Sequence, residues 1–302
     1  MTLSTPVSAI ELRRAARFVC HMAVLSGRYR RNSIEAIREC VDAGVERLEI
    51  DVHSLDGPDY VIFHDRRLED HTTGSGSIGH ATPADIHDVR FREHPDERPP
   101  LLSEVIDLVR ESDTELQLDL KDWRPLSDAR LRTLINVIAP ARDRCVISTG
   151  QDWTLRRIHG ADPAVRFGFD PGHYIDHVTE GTTMFLPRTM GAYDYRDDHP
   201  LAFGRTEAPT DYLRERFEML ALQAPGASEY FLSYRLVLQM VDDGFNVAEY
   251  LHKRGIDANV WTPDYHGPES LDLLERLAGA GFDRITTNTA PAWVSAFAAH
   301  RS

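Results

Sequence analysis

Strand-like and helix-like runs exchange along this chain almost from end to end, the pattern of parallel strands joined by helices. The strand-like runs are Arg17–His21, Glu46–Val52, Glu115–Lys121, Arg144–Thr149, Val165–Phe169, Glu229–Ser233, Asp257–Thr262 and Arg284–Thr287. Eight such strands are the number that closes a barrel. The expected fold class is therefore α/β, a (β/α)8 TIM barrel. The 302 residues, 42% of them apolar, can bury the core of one such domain, and a single domain over 1–302 is the default expectation.

Helix boundaries are legible at several points. Asn32 can cap the helix after the first strand, with Glu35 reaching back as in a capping box, and Ile34, Ile37 and Val41 follow at helical spacing. Thr82-Pro83-Ala84-Asp85 supplies a capping hydroxyl, proline at the first helical position and an early acid. Further helices are expected at Leu102–Glu111, Asp128–Ile138, Trp153–Gly160, Asp242–Arg254 and Ser270–Ala280, the last two leading through Gly255 and Gly281 as C-caps. After the fifth strand, 171–228 exceeds any ordinary βα connection. It holds Tyr174, Phe185, Tyr193, Tyr195, Phe203 and a helical stretch from Asp211 to Gln223, and is read as an insertion that could act as a specificity lid.

Charge narrows the partners. Against 34 Lys and Arg stand 48 Asp and Glu, a formal net charge of −14 that repels nucleic-acid backbones and anionic membranes. No apolar stretch approaches the roughly 20 residues that span a bilayer. Met1 to Arg17 carries Glu11, Arg13 and Arg14 where a signal peptide would place its apolar core, so a cytoplasmic location is expected. Cys20, Cys40 and Cys145 have no metal-like spacing, and their odd number fits free core thiols.

The chemistry is carried by strand parity. In the second strand Glu49, Asp51 and His53 share one face while Leu48, Ile50 and Val52 share the other. In the third, Gln117, Asp119 and Lys121 share a face opposite Leu116, Leu118 and Leu120. A barrel strand keeps its apolar side toward the helices, so three acids converge at the C-terminal rim, where barrel enzymes build their sites. Such acids need a counter-charge. An all-oxygen donor set favours one hard divalent cation, Mg2+ or Ca2+, and the competing structural reading pairs the acids with Lys121 and nearby arginines. His21 and His64 end apolar runs at that rim and make an acid–base pair possible.

Taken in order, His21, Asn32-Ser33-Ile34-Glu35-Ala36, Leu48-Glu49-Ile50-Asp51-Val52, Phe63-His64-Asp65, Thr72-Thr73-Gly74-Ser75-Gly76, Pro100-Leu101-Leu102, Leu118-Asp119-Leu120-Lys121, Val260-Trp261-Thr262 and Ile285-Thr286-Thr287-Asn288 resemble the successive motifs of glycerophosphodiester phosphodiesterases. The similarity is collinear over about Phe18 to Pro291, with the long insertion unmatched. The resemblance implies a metal-dependent phosphodiester hydrolase acting on a small-molecule glycerophosphodiester. It implies Glu49, Asp51 and Asp119 as metal ligands, His21 and His64 as the catalytic pair, and Lys121 as a phosphate contact. Trp261 joins these as a candidate substrate contact.

The departures are specific. Asp119 stands where the family generally has Glu; His21-Met22-Ala23 replaces His-Arg-Gly, so the usual phosphate arginine is missing; and Arg30-Arg31-Asn32 replaces Pro-Glu-Asn. Arg28, Arg30 and Arg31 lie in the loop after the first strand, and Arg28, freed by Gly27, is the favoured replacement cation. The Asp119 and Met22 changes are also similar to sphingomyelinase D-like phospholipases D, which form cyclic phosphates. A silent barrel that only binds a phosphorylated ligand is a further alternative, and an amidohydrolase lacks support because no His-x-His strand opens the chain.

Overall fold

The computed structural model describes residues 17–175 and 208–299. Its contacts gather into two compact units, one built from Val19–Phe167 with Asn288–Pro291, the other around Gly168–Thr287. Eight parallel strands shared between them, alternating with helices, make the fold the expected (β/α)8 barrel. All eight strand-like runs are found as strands.

In the first unit β1 (Arg17–Cys20) pairs with β2 (Arg47–Ser54), β2 with β4 (Glu115–Leu120) and β4 with β5 (Cys145–Thr149), all parallel. The register sets Asp51 opposite Asp119, and Asp119 opposite Ser148. β2 is buried along its whole length, its apolar face lined by Leu48, Ile50 and Val52. One strand was not anticipated. β3 (Tyr60–Ile62) folds back antiparallel on β2, with Val52 opposite Ile62.

Helix α1 (Ile34–Asp42) is capped by Ser33, whose hydroxyl accepts from the Ala36 N–H. The expected cap, Asn32, lies one residue outside with φ 61°, because its amide is drawn inward to a carboxylate. Helix α2 (Pro83–Asp88) has the expected Thr82–Asp85 capping box and Pro83 in its first turn. Helices α3 (Leu102–Val109), α4 (Asp128–Ile138) and α5 (Asp152–Ala161) lie within two residues of expectation. Between β2 and α3 a satellite core of Leu55, Val61, Phe63, Leu68, Ile78, Ala81, Ile86 and Phe91 fastens the loop 64–80. The Thr72–Gly76 motif is part of that fastening. Buried Thr72 donates its hydroxyl to the Leu68 carbonyl and accepts from the Gly74 N–H.

In the second unit β6 (Arg166–Phe169), β7 (Glu229–Ser233), β8 (Asp257–Trp261) and β9 (Arg284–Thr287) pair in parallel succession. A Cβ on Gly168 would stand 2.8 Å from the Glu229 carbonyl oxygen, so only glycine lets β6 approach β7 here. Helix α6 (Pro209–Gln223) contains the expected Asp211–Gln223 stretch. The rest of the aromatic insertion, including Phe185, Tyr193, Tyr195 and Phe203, lies outside the described residues, as does any lid. Of the helix expected over Asp242–Arg254 only Val247–His252 (α8) forms, and α7 (Tyr234–Asp242), which ends where that expectation begins, was not anticipated. Gly244 breaks the chain between them with φ 88°, and the Asn246 side chain accepts from the Glu249 N–H to cap α8. Helices α9 (Ser270–Gly279) and α10 (Ala290–Ala299) complete the described elements. Gly255 and Gly281 follow α8 and α9 with positive φ as C-caps should. Among the described residues no helix is long and apolar enough to cross a membrane, and all three cysteines are free and buried.

Candidate active site

Three elements of the first unit build the site. β2 contributes Glu49 and Asp51, β4 contributes Asp119 and leads into Lys121, and the 3-10 turn after β1 contributes His21. Oxygens of Glu49, Asp51 and Asp119 all lie within 4.8 Å of one another. Glu49 and Asp51 are buried, at 3% and 0% exposure, whereas Asp119 stays partly open. Two backbone bonds hold the rim together: the Phe63 N–H donates to the Asp51 carbonyl and the Lys121 N–H to the Val52 carbonyl, both at 2.9 Å.

The acids are unequal. Glu49 accepts from the Met22 N–H at 2.9 Å, yet burial and the charges of Asp51 and Asp119 push its carboxyl well above the usual range. Burial pushes Asp51 up as well, but Lys121, the His64 charge and the Asn32 amide outweigh it and leave the carboxyl below its ordinary value. Lys121 sits 2.9 Å from Asp51 Oδ1 and also pairs with Asp119. Burial alone would lower its ammonium, but Asp119, Asp51 and Glu49 raise it well above the ordinary lysine value. Three carboxylates therefore face one ammonium.

That imbalance bears on whether the residues fit a metal. Asp51 Oδ1 is buried and faces the Lys121 ammonium at 2.9 Å, but Lys121 is shared with Asp119, so one positive charge serves three converging acids. The other Asp51 oxygen accepts from Asn32 Nδ2 at 2.7 Å, and Asp119 Oδ1 accepts from the Ser148 hydroxyl at 3.2 Å. An oriented, all-oxygen set with a remaining excess of negative charge fits a hard divalent ion.

Both histidines are aimed by a partner. His21 Nδ1 donates to Asn288 Oδ1 at 2.8 Å, leaving Nε2 3.8 Å from Glu49 Oε2. Burial lowers its basicity, partly offset by Asn288 and Asp51. His64 Nδ1 donates to Asp65 at 3.1 Å, and the other oxygen of Asp65 lies 3.0 Å from His71 Nε2. His64 is thereby left with Nε2 free in a half-exposed ring. The third inward residue of β2, His53, holds the His64 carbonyl at 3.2 Å. Asn32, Asp65, His71 and Asn288 were not anticipated as partners; only the quoted motifs around Asn32, His64 and Asn288 carried a signal.

A cavity of about 550 Å3 opens beside His64, lined by Met22, Tyr29, Arg30, Arg31, His71 and His94 among others. Arg28, the cation favoured from sequence, does not line it: the residue is exposed, with its guanidinium 5.2 Å from the Tyr29 ring. Arg30 stacks 3.8 Å over Phe91. Arg31 carries no ion pair among the described residues, and its charge acts on His21. Trp261 belongs to the second unit, at the end of β8, its indole N–H buried without a hydrogen bond among the described residues.

Three comparisons bear on this chain. Residues 25–170 match the model of the Glycerophosphoryl diester phosphodiesterase family. A curated glycerophosphodiester phosphodiesterase of Caldanaerobacter subterraneus subsp. tengcongensis is 26% identical over 144 residues, 45% of this chain and 59% of that protein, so the match spans less than two thirds of that relative. Among solved structures, a phosphodiesterase of Oleispira antarctica in complex with the product sn-glycerol-3-phosphate superposes with a TM-score of 0.64 at 18% identity, covering 95% of this chain and 98% of that one. A glycerophosphodiester phosphodiesterase of Parabacteroides distasonis does so at 0.64 and 15% identity, covering 96% and 99%. At these identities the structural likeness speaks for the fold.

Proposed function

We propose that this chain belongs to the glycerophosphoryl diester phosphodiesterase family, whose model matches residues 25–170, and that it hydrolyses a small glycerophosphodiester to an alcohol and a phosphomonoester. The single observation that carries the reading is the convergence of Glu49, Asp51 and Asp119 within 4.8 Å in the unit that also holds His21 and His64. The reading takes residues 1–302 as one phosphodiesterase domain, with 171–228 as the segment that would set specificity.

Glu49, Asp51 and Asp119 would hold one Mg2+ or Ca2+ ion, which when bound neutralises the diester and makes phosphorus more open to attack. The chain's own groups do the rest. Asn32 and Ser148 orient the two aspartates from behind. Lys121 supplies a positive contact for the phosphate. Among the loop arginines, Arg31 takes the part first given to Arg28, because it lines the cavity and its charge reaches His21. Trp261 remains a candidate substrate contact on its motif alone.

His21 and His64 divide the proton traffic. One accepts the proton of the attacking hydroxyl at Nε2 while the other delivers a proton to the departing alkoxide, and the two exchange roles in the next step. If a substrate hydroxyl attacks first, the phosphate closes into a ring that water then opens. A binding-only barrel has no use for two oriented imidazoles, so hydrolysis is the better reading.

A panel of glycerophosphodiesters, lysophospholipids and an aryl diester, incubated with magnesium, calcium or chelator and followed by phosphorus NMR, tests this. The expected result is a phosphomonoester and free alcohol from the glycerophosphodiesters. A stable cyclic phosphate as sole product would move the chain to the lyase-like alternative, and no turnover of any diester would end the hydrolase reading.

A further inference from the structure

Lys121 and His53 also line a second cavity, of about 340 Å3, whose walls include Arg66, Trp123, Arg124 and Arg130. Its charges are one-sided. The one carboxylate in the lining, Asp122, already accepts from the Ser54 N–H and hydroxyl at 2.9 and 2.7 Å. Arg130 donates to the Gly79 carbonyl at 2.7 Å, but Arg66 and Arg124 carry no ion pair among the described residues. Instead, the Arg66 guanidinium lies 4.0 Å from the ring of Trp123, which is 52% exposed.

A concentrated positive lining is unusual on a chain of net charge −14, whose general field repels anions. Guanidinium forks match the paired oxygens of phosphate and carboxylate. The two free arginines also arrive on the segments that carry the chemistry, Arg66 two residues after His64 and Arg124 three after Lys121. An anion held there belongs next to the scissile diester.

We propose that this cavity binds a second anionic group, phosphate or carboxylate, carried on the alcohol attached to the scissile phosphate. The inference rests on the phosphodiesterase reading and narrows its substrate class: the chain prefers glycerophosphodiesters whose other alcohol is itself anionic. Arg66 and Arg124 set that preference, and Trp123 holds Arg66 in place.

The test compares kcat/KM for glycerophosphoglycerol, with a neutral second alcohol, and for the same diester bearing a terminal phosphate, at fixed ionic strength. The expected ratio is at least tenfold in favour of the anionic substrate, carried mainly by KM. Arg66→Gln and Arg124→Gln, both on exposed side chains, should each lower the ratio threefold or more, and the pair should erase it. A ratio near one in the natural chain, or an unchanged ratio in the double variant, overturns the proposal. Calorimetric binding of the same two compounds in chelator separates this from the underlying reading. A tenfold binding preference lost in the double variant, on a chain that turns over neither compound, supports the cavity and sinks the phosphodiesterase reading. Turnover of both without preference does the reverse. Inorganic phosphate that binds the natural chain but not the double variant, while leaving the selectivity ratio unchanged, would assign the cavity to a free anion and overturn the substrate assignment.

Discussion

Asn32 combines a left-handed backbone, φ 61°, with a buried amide that donates to Asp51 at 2.7 Å and accepts from the Asp51 N–H at 3.3 Å. Asparagine tolerates that conformation better than most residues. Asn32→Gly keeps the backbone relaxed and removes both side-chain hydrogen bonds, of which the one to the charged carboxylate is worth about 1.5–3 kcal/mol. Asn32→Ala adds an alanine at positive φ, roughly another 1–2 kcal/mol. Denaturant titration should rank the variants in that order, and both should lose tenfold or more in turnover because Asp51 is no longer aimed. Equal stability of the two would remove backbone strain from the account.

The histidine pair belongs to the same scale. His21→Ala and His64→Ala should each lower kcat by on the order of 10²-fold or more, with the double variant little worse than either single, as groups acting as a unit behave. A single variant with full activity on a good diester takes that residue out of the mechanism. The acids were legible because strand parity is local: i and i+2 share a face whatever the rest of the chain does. Asp65, His71 and Asn288 were not, since their roles arise from side-chain geometry and, for Asn288, from a contact 267 residues away from His21. Arg28 misled because backbone freedom at Gly27 says nothing about which way the following side chain turns.

At the scale of elements, helix starts with complete chemical signatures were read correctly, and ambiguous ones were not. Asn32 and Ser33 are both good caps, so sequence alone could not choose between them. Likewise, a helix start was read at Asp242, where α7 ends, because apolar residues flank Asp243–Asn246 on both sides and leave the true start at Val247 unmarked by period. The Thr82–Asp85 box gives a direct check. Thr82→Ala should lower unfolding free energy by about 1 kcal/mol, the usual worth of such a cap. Hydrogen bonds from the Thr82 backbone and then its hydroxyl hold the Asp85 carboxyl below its ordinary value. A depressed carboxyl stabilises above its unfolded value and ceases to as pH falls through its folded one. The stability lost by Asp85→Asn at neutral pH should accordingly shrink below about pH 4; a deficit that persists unchanged into acid would contradict the assigned charge interaction.

For the whole molecule, eight strands in the right order were readable because parallel β/α alternation repeats with little variation. The antiparallel β3 was missed because its three residues lie inside an apolar run that ends at His64. Composition was informative in a different way: an acidic chain disfavours polyanion partners overall, yet it conceals the basic cavity beside Lys121, which only the fold assembles.

The central claim is that Glu49, Asp51 and Asp119 form the cation-dependent reacting centre of a glycerophosphodiesterase. Phosphorus NMR of one glycerophosphodiester, incubated with the natural chain and with Asp51→Asn in Mg2+, in Ca2+ and in excess chelator, tests it in a single measurement. The account predicts that the diester signal gives way to a phosphomonoester only for the natural chain with a divalent cation, and that chelator stops the conversion reversibly. Conversion that continues in chelator, or at the natural rate in Asp51→Asn, would contradict it.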